Sequence, residues 1–223
     1  MKINADFTQR VVMRFDETEW VPSPMAGVER KMLDRIGEEI ARATTIVRFA
    51  PGSAFSAHTH DGGEEFIVLD GVFQDEHGDF GVGSYIRNPP TSAHTPASAP
   101  GTTIMVKLHQ FDPEDRTHIR TDMSKSAPVD AAGRAGVKVL PLFHDGHEDV
   151  RLEVWAPGTE VALPPQDGLE VFVLDGGFVS EGDTLGRWDW LRLPVGAALT
   201  ARAGDQGARV WIKSGHLKGM EAA

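Results

Sequence analysis

The chain contains no cysteine and only one tyrosine among its 223 residues. Without thiols it can form no disulfide bond and no cysteine-ligated metal site, so a bound metal must be held by His, Asp or Glu. No apolar run approaches the roughly 20 residues that a membrane-spanning helix needs. The N-terminal segment MKINADFTQR also lacks the apolar core of a signal peptide. A cytoplasmic protein is the simplest interpretation.

Basic residues are in deficit, with 22 Lys and Arg against 33 Asp and Glu, which gives a formal net charge of −11. An acidic protein is not expected to bind nucleic acid or an anionic membrane through its overall charge. The charge remains compatible with a small-molecule ligand, a protein partner or a homodimer.

Two copies of one unit follow each other along the chain. The segment FAPG at Phe49 recurs as WAPG at Trp155, and EFIVLDG at Glu65 recurs as EVFVLDG at Glu170, with offsets of 106 and 105 residues. A period of this length is a whole domain rather than a solenoid repeat. We therefore expect two domains, residues 1–112 and residues 113–223, that arose by duplication.

The sequence predicts strands throughout. Short segments such as TTIVRF, EEFIVL and TTIMVKL are rich in β-branched and aromatic residues, and Gly, Pro and Asp separate them. No segment shows sustained helical periodicity. Many short strands with regular turns are typical of small barrels or sandwiches, so we expect an all-β protein. We expect the polar segment 112–136 to cross between the units and to begin the second one.

Four potential metal ligands lie close together in the first copy. Residues two apart on a strand point to the same face, so His58 and His60 direct their imidazoles the same way. The turn DGG would then bring Glu64 back beside them, and His94 follows a second turn-rich segment. Three imidazoles and a carboxylate suit a divalent transition metal. Alternation places Glu65 on the opposite face, so we prefer Glu64 as the ligand.

The same residues match two known motifs. The stretch from Gly52 to Gly71 resembles the first cupin motif, G-x5-H-x-H-x3-4-E-x6-G. The stretch from Gly83 to His94 resembles the second, G-x5-P-x-G-x2-H, with Thr91 where glycine is usual. The resemblance implies two tandem cupin barrels (double-stranded β-helix or jelly-roll), that is, a bicupin with one metal inside its first barrel.

More narrowly, the segments GVERKML and YIRNPPTSAHTP, with the motif between them, resemble the cupin domain of ChrR-type anti-sigma factors. The likeness covers most of Val11 to Phe111 and recurs, weakened, to about Leu217. In that family the domain binds zinc through three His and one Glu, which implies zinc ligation here by His58, His60, Glu64 and His94. Those regulators also carry an N-terminal helical zinc domain with His and Cys ligands that grips the sigma factor. This chain has no Cys and starts almost directly with the cupin, which argues against sigma-factor binding.

The second copy has lost the ligands. The alignment of the two copies matches His58 with Pro164, His60 with Gln166, His94 with Leu199 and Glu64 approximately with Leu169. None of these replacements supplies an imidazole, so the second unit is expected to be a metal-free, degenerate cupin. It contains four of the five tryptophans. We expect these to fill its interior, and an aromatic ligand pocket is the alternative.

Two functions are compatible with this pattern. The first is a sensory or regulatory metal protein in a stress response, as the resemblance to the ChrR-type domain implies. The second is an Fe(II)-dependent dioxygenase that cleaves a C–C bond of a diketone or aryl ketone, as some cupins do. We expect one divalent transition metal per chain, with zinc preferred and Fe, Mn and Ni left open by the ligand types. Because binding needs neutral imidazoles, we expect metal loss below a pH of about 6.5.

Overall fold

A computed structural model of the chain describes residues 1–220. The described residues contain 22 strands and no helix. Accordingly, no helix in this part of the chain could cross a membrane. In chain order the strands are β1 (Lys2–Ile3), β2 (Val11–Met13), β3 (Val21–Pro22), β4 (Val28–Gly37), β5 (Ala41–Phe49), β6 (Ser53–Ala54), β7 (His58–Thr59), β8 (Glu64–Asp75), β9 (Gly78–Gly81), β10 (Ser84–Asn88), β11 (Ala93–His94), β12 (Ala97–Ser98), β13 (Thr102–Leu108), β14 (Ile119–Asp122), β15 (Val129–Asp130), β16 (Val137–His144), β17 (Asp149–Trp155), β18 (Glu160–Leu163), β19 (Leu169–Ser180), β20 (Asp183–Leu185), β21 (Trp190–Leu193) and β22 (Leu199–Ser214).

The chain divides into two compact units. The first comprises Met1–Ala5 and Glu19–Lys125, and the second comprises Asp6–Thr18 and Ser126–Ala223. This division differs from the sequence-based boundary between residues 112 and 113. The first unit extends further along the chain, and a short N-terminal segment belongs to the second unit.

Two edge strands explain the difference. In the first unit β14 pairs with β10, and Ile119 lies opposite Arg87. In the second unit β2 pairs with β21, and Val11 lies opposite Arg192, which is the equivalent of Arg87 in the repeat. Each unit therefore has the same sheet position occupied, but by strands from different parts of the chain. The segment after the first copy supplies one of them, and the N-terminal segment supplies the other.

The main sheet of the first unit has the order β1-β4-β5-β13-β8-β10-β14, and the short strands β7 and β11 pair separately. Side chains alternate along β8, so Phe66 and Val68 face a buried apolar cluster on the same side as Glu64. The remaining buried members of this cluster are Phe73, Ile86, Ile104 and Val106.

A glycine ends the shared EFIVLDG motif in each unit for a steric reason. Gly71 has a φ of 69°, and a Cβ atom there would lie 2.0 Å from the carbonyl oxygen of Gly101. Gly176 has a φ of 66°, and a Cβ atom there would lie 2.2 Å from the carbonyl oxygen of Gly207. Only glycine fits both the conformation and the close approach of the backbones.

The second unit has an apolar core of its own. It is built by 17 buried side chains, among them Leu163, Leu169 and Leu199. Of the tryptophans, Trp155 joins this core and packs edge-on against Phe178 with ring centroids 5.3 Å apart.

The other tryptophans of the second unit correct the sequence-based expectation that all four fill its interior. Trp190 and Trp211 are fully buried but lie on the opposite sheet face, because their neighbours Leu191 and Val210 are the ones that join the core. Trp188 is only partly buried. One tryptophan of the four, Trp155, therefore fills the core of this unit.

Candidate metal centre

Strands β7 and β11 bring two histidines directly opposite each other. His58 on β7 and His94 on β11 are register partners, and His60 follows His58 by two residues. The ring centroids are 4.9 Å apart for His58 and His60, 5.1 Å for His58 and His94, and 4.7 Å for His60 and His94. One potential ligand atom from each residue lies within 4.8 Å of the other two. The structure thus groups the three histidines that the spacing predicts.

Glu64 faces the same cluster from the start of β8. Its Oε2 atom lies 3.4 Å from His60 Nε2 and 3.6 Å from His94 Nε2. The same oxygen accepts a hydrogen bond of 3.2 Å from the Asn88 side-chain amide. Glu65 faces the other way, and its Oε1 accepts a hydrogen bond from the Tyr85 hydroxyl. The carboxylate beside the imidazoles is therefore that of Glu64.

Contacts on the outer nitrogens fix the orientation of two rings. His94 Nδ1 lies 3.2 Å from Asp75 Oδ2, and His58 Nδ1 lies 3.1 Å from the Ser56 carbonyl oxygen. If each Nδ1 carries the proton and donates it, each Nε2 keeps its lone pair. The Nε2 atoms of His60 and His94 are buried and have no hydrogen-bond partner. A buried polar nitrogen without a partner is costly, and a metal ion would satisfy both.

Burial controls the protonation of the cluster. It lowers the pKa of the His60 imidazole from 6.5 to about 4, and the neighbouring imidazoles add to the effect. Burial also lowers the pKa of His94, although the Glu64 carboxylate opposes this. The pKa of Glu64 is raised, again mainly by burial. At neutral pH His60 and His94 are consequently uncharged, which is the form that binds a metal.

The expectation of metal loss below a pH of about 6.5 stays a prediction. For His60, burial lowers the pKa of the imidazole to about 4, so protonation of this one nitrogen is expected further below that pH.

The metal-free protein should lose stability between pH 7 and pH 5 because of His60. Its pKa is near 6.5 in the unfolded chain and about 4 in the folded protein. Between these values the unfolded state binds more protons, so the free energy of unfolding falls as the pH falls. We expect His60 to account for about 2 kcal/mol of this loss. Urea unfolding of the metal-free wild type and of His60→Gln at both pH values measures it, and an equal loss in the two proteins would refute the assignment.

The site is closed on one side and open on the other. His60, Glu64 and His94 are buried, whereas His58 is exposed. The donor set of imidazole nitrogens and one carboxylate suits Zn, Fe, Mn or Ni. The residues present therefore fit one divalent transition metal, with access for a further ligand from the side of His58.

Three further polar residues of the first unit, Tyr85, Arg87 and Lys107, lie away from the cluster. Tyr85 and Arg87 alternate onto the face of β10 opposite Asn88, and Arg87 forms an ion pair with Asp115. Lys107 is fully buried and donates to the Thr44 hydroxyl at 2.8 Å.

Two contact residues were missed by the sequence reasoning, namely Asn88 beside Glu64 and Asp75 beside His94. A signal for the first was present. Glu65 and Arg87 both recur in the second copy, which has lost the ligands, so their role is structural. Because side chains alternate along a strand, Asn88, next to Arg87, faces the opposite side, where the ligands lie.

The described part of the second unit has no equivalent centre. Glu170 pairs with Arg192 and Lys213 as Glu65 pairs with Arg87 and Lys107, which places Leu169 at the position of Glu64. Leu169 and Leu199 are both buried in the apolar core. Among the described residues, the three histidines of the first unit form the one cluster of His, Cys, Asp or Glu side chains suited to a metal.

Comparison with known proteins shows which family and which solved structures this chain resembles. Residues 8–112 match the family model of the ChrR cupin-like domain. Over these residues the chain is similar to a cupin-like domain, and its fold is that of cupin proteins. The two tandem all-β units confirm the sequence-based expectation of a bicupin.

Solved structures share this fold across nearly the whole bicupin. A candidate dioxygenase from Nostoc punctiforme is 13% identical, with a TM-score of 0.77 over 97% of this chain and 85% of that protein. A candidate glyoxylate-induced protein from Pseudomonas aeruginosa is 16% identical, with a TM-score of 0.71 over 96% of this chain and 90% of that one. Oxalate decarboxylase from Bacillus subtilis is 13% identical, with a TM-score of 0.63 over 97% and 80%. None of the curated proteins matches the sequence.

Proposed function

We propose that the first unit of this bicupin binds one divalent transition metal through His58, His60, Glu64 and His94. The observation that carries the proposal is the pair of buried Nε2 atoms, on His60 and His94, that lack hydrogen-bond partners and face a buried carboxylate. The cation would satisfy these nitrogens and would stabilise the ionised form of Glu64, which burial alone disfavours.

The chain's own residues would prepare the site for such an ion. Burial keeps His60 and His94 neutral, and the Asn88 amide holds the Glu64 carboxylate in place. When bound, the metal would supply Lewis acidity and a template for a further ligand. The exposed side at His58 is where that ligand would approach.

We favour a sensory or regulatory role in a stress response for this site. The match of residues 8–112 to the ChrR cupin-like domain supports this role. We favour zinc as the resident metal on the same ground. In this role a small molecule or an oxidant would reach the metal from the exposed side, and the change in ligation would be passed to a protein partner.

A dioxygenase with Fe(II) is the second candidate, and one feature of the site favours it. Three phenyl rings lie in succession, and the first of them is beside His94. Phe73 lies 5.7 Å from the His94 ring, Phe49 lies 6.3 Å from Phe73, and Phe55 lies 5.1 Å from Phe49. Such an apolar wall suits an aryl or diketone substrate that chelates the metal. The fold shared with the candidate dioxygenase of Nostoc punctiforme is consistent with this role.

Metal analysis combined with oxygen uptake separates the two roles. Untagged protein, purified without added metal, should contain about one metal per chain, and the double variant His58→Ala/His60→Ala should contain none. Zinc as purified, with no oxygen consumption by the Fe(II)-loaded protein in the presence of β-diketones or hydroxylated aryl ketones, supports the regulatory role. Iron as purified, together with oxygen uptake that the double variant lacks, supports the dioxygenase. Absence of metal even after reconstitution would refute both.

A further inference from the structure

We propose that Asp75 is a positioning residue for the metal ligand His94, holding its ring in the tautomer that presents Nε2 to the metal. This inference rests on the proposed function. It concerns a carboxylate at the tip of the β8–β9 hairpin, far along the strand from the ligand motif.

The Asp75 carboxylate is buried and held by two contacts. Its side chain is 2% exposed, and its Oδ2 lies 3.2 Å from His94 Nδ1. Its Oδ1 accepts a hydrogen bond of 2.7 Å from the backbone N–H of His77, which fixes the carboxylate at the hairpin turn. An ionised carboxylate accepts hydrogen bonds but has no proton to donate. A hydrogen bond between Asp75 and His94 therefore requires the proton to be on His94 Nδ1.

The next residue, Glu76, contacts the backbone beside His94. Glu76 Oε2 accepts a hydrogen bond of 2.9 Å from the N–H of Thr95, the residue after His94. Two successive carboxylates therefore hold the His94 ring and the adjoining backbone. A hydrogen bond from a ligating imidazole to a carboxylate orients the ring and raises its basicity as a ligand.

The second unit provides an internal comparison. Phe73 pairs with Phe80 in the first hairpin and Phe178 pairs with Leu185 in the second, which places Ser180 at the position of Asp75. Ser180 donates instead to the carbonyl oxygen of Thr200 at 2.8 Å. In the copy where leucine replaces His94, the carboxylate is also absent. A carboxylate kept only for the hairpin turn would have no reason to differ in this way.

The exposed ligand His58 is held differently from the buried His94. His58 Nδ1 contacts a neutral backbone carbonyl, whereas His94 Nδ1 contacts a carboxylate. The effect of removing Asp75 should therefore be specific to His94.

The test uses full-length Asp75→Ala and Asp75→Asn, with Asp79→Asn as the matched control. Asp79 lies on the same hairpin and bonds to Gln74 rather than to a histidine. Zinc affinity is measured against a competing chelator, and the absorption spectrum of the cobalt-substituted protein reports ligand geometry. We expect Asp75→Ala to bind zinc about 10–100-fold more weakly with an altered cobalt spectrum. Asp75→Asn, which keeps an oxygen acceptor, should fall between Asp75→Ala and wild type, and Asp79→Asn should match wild type.

Nitrogen-15 shifts of the His94 ring in the metal-free protein provide a readout that needs no metal. Wild type should show the Nδ1–H tautomer, and Asp75→Ala should lose that preference. If Asp75→Ala fails to fold, Asp75→Asn carries the same comparison. Wild-type affinity in both variants, or an Nε2–H tautomer in metal-free wild type, would overturn the role of Asp75 while leaving the metal site intact. A wild type that binds no metal would instead overturn the proposed function.

Discussion

The His60→Ala variant will lose metal binding and with it the stabilisation that metal gives the wild type. His60 Nε2 is buried, has no hydrogen-bond partner and lies 3.4 Å from the Glu64 carboxylate. A metal at a thousand times its dissociation constant stabilises a folded protein by about 4 kcal/mol. We expect the wild type to gain stability of this order on loading, and the variant to gain little.

Thermal unfolding with and without zinc measures this difference. The control is His144→Ala, which removes an imidazole that is 75% exposed and lies in the second unit. It should respond to zinc as the wild type does. A His60→Ala variant that zinc stabilises as strongly as the control would mean that the ion binds elsewhere.

Two adjacent glutamates should respond in opposite ways. Glu65 is buried, accepts a hydrogen bond from Tyr85 and lies in register between Arg87 and Lys107, both of them buried. Removing a buried acidic group from beside buried cations costs about 3–5 kcal/mol, and Arg87 keeps its ion pair with Asp115. We expect the free energy of unfolding of Glu65→Ala to fall by this amount. The fraction of this variant that remains folded at low temperature should still bind metal.

For Glu64→Gln we expect the reverse. Burial raises the pKa of Glu64, so ionising this carboxyl costs more free energy in the metal-free fold than in the unfolded chain. The neutral glutamine should leave the metal-free protein at least as stable as wild type, while weakening metal affinity. Urea unfolding at pH 7 and a chelator competition assay measure the two effects. A stable Glu65→Ala that no longer binds metal, beside a destabilised Glu64→Gln that does, would reverse the assignment of the two residues.

Local spacing made the ligand set predictable. His58 and His60 share a strand face, and the short turn after them returns the chain at Glu64, so three ligands follow from alternation and one tight turn. The repeat strengthened the choice of Glu64, because Glu65 aligns with Glu170 in a copy without ligands. The structure places Glu65 on the opposite face, beside Tyr85.

The residues that surround the ligands are brought there by strand pairing between distant parts of the chain, and they were harder to predict from the sequence. Asp75 at the end of β8 meets His94 on β11, 19 residues later in the chain, so the contact depends on how distant strands are arranged. The β2 strand pairs with β21 about 180 residues later in the chain, and three residues carry too little pattern to reveal such a partner. The sequence-based boundary between the units differs from the one in the structure for the same reason.

Tryptophan placement shows a limit of composition. The replacement of ligands by apolar residues suggested that nearby tryptophans fill the interior of the second unit. Leucine and valine side chains fill most of it, because alternation along β21 and β22 turns Trp190 and Trp211 to the other face. Which sheet face a tryptophan takes depends on its position in the alternation along the strand, and the sequence does not show which of the two faces covers the core until the strand register is known.

The metal site is tested most sharply by a crystal structure of the zinc-loaded protein with anomalous diffraction measured at the zinc edge. Ligation by the four residues predicts one strong peak in the first unit, about 2.0–2.2 Å from a nitrogen of His58, His60 and His94 and from an oxygen of Glu64. It predicts none among the leucines of the second unit. A protein that takes up zinc but shows no peak between these four side chains would contradict the central claim.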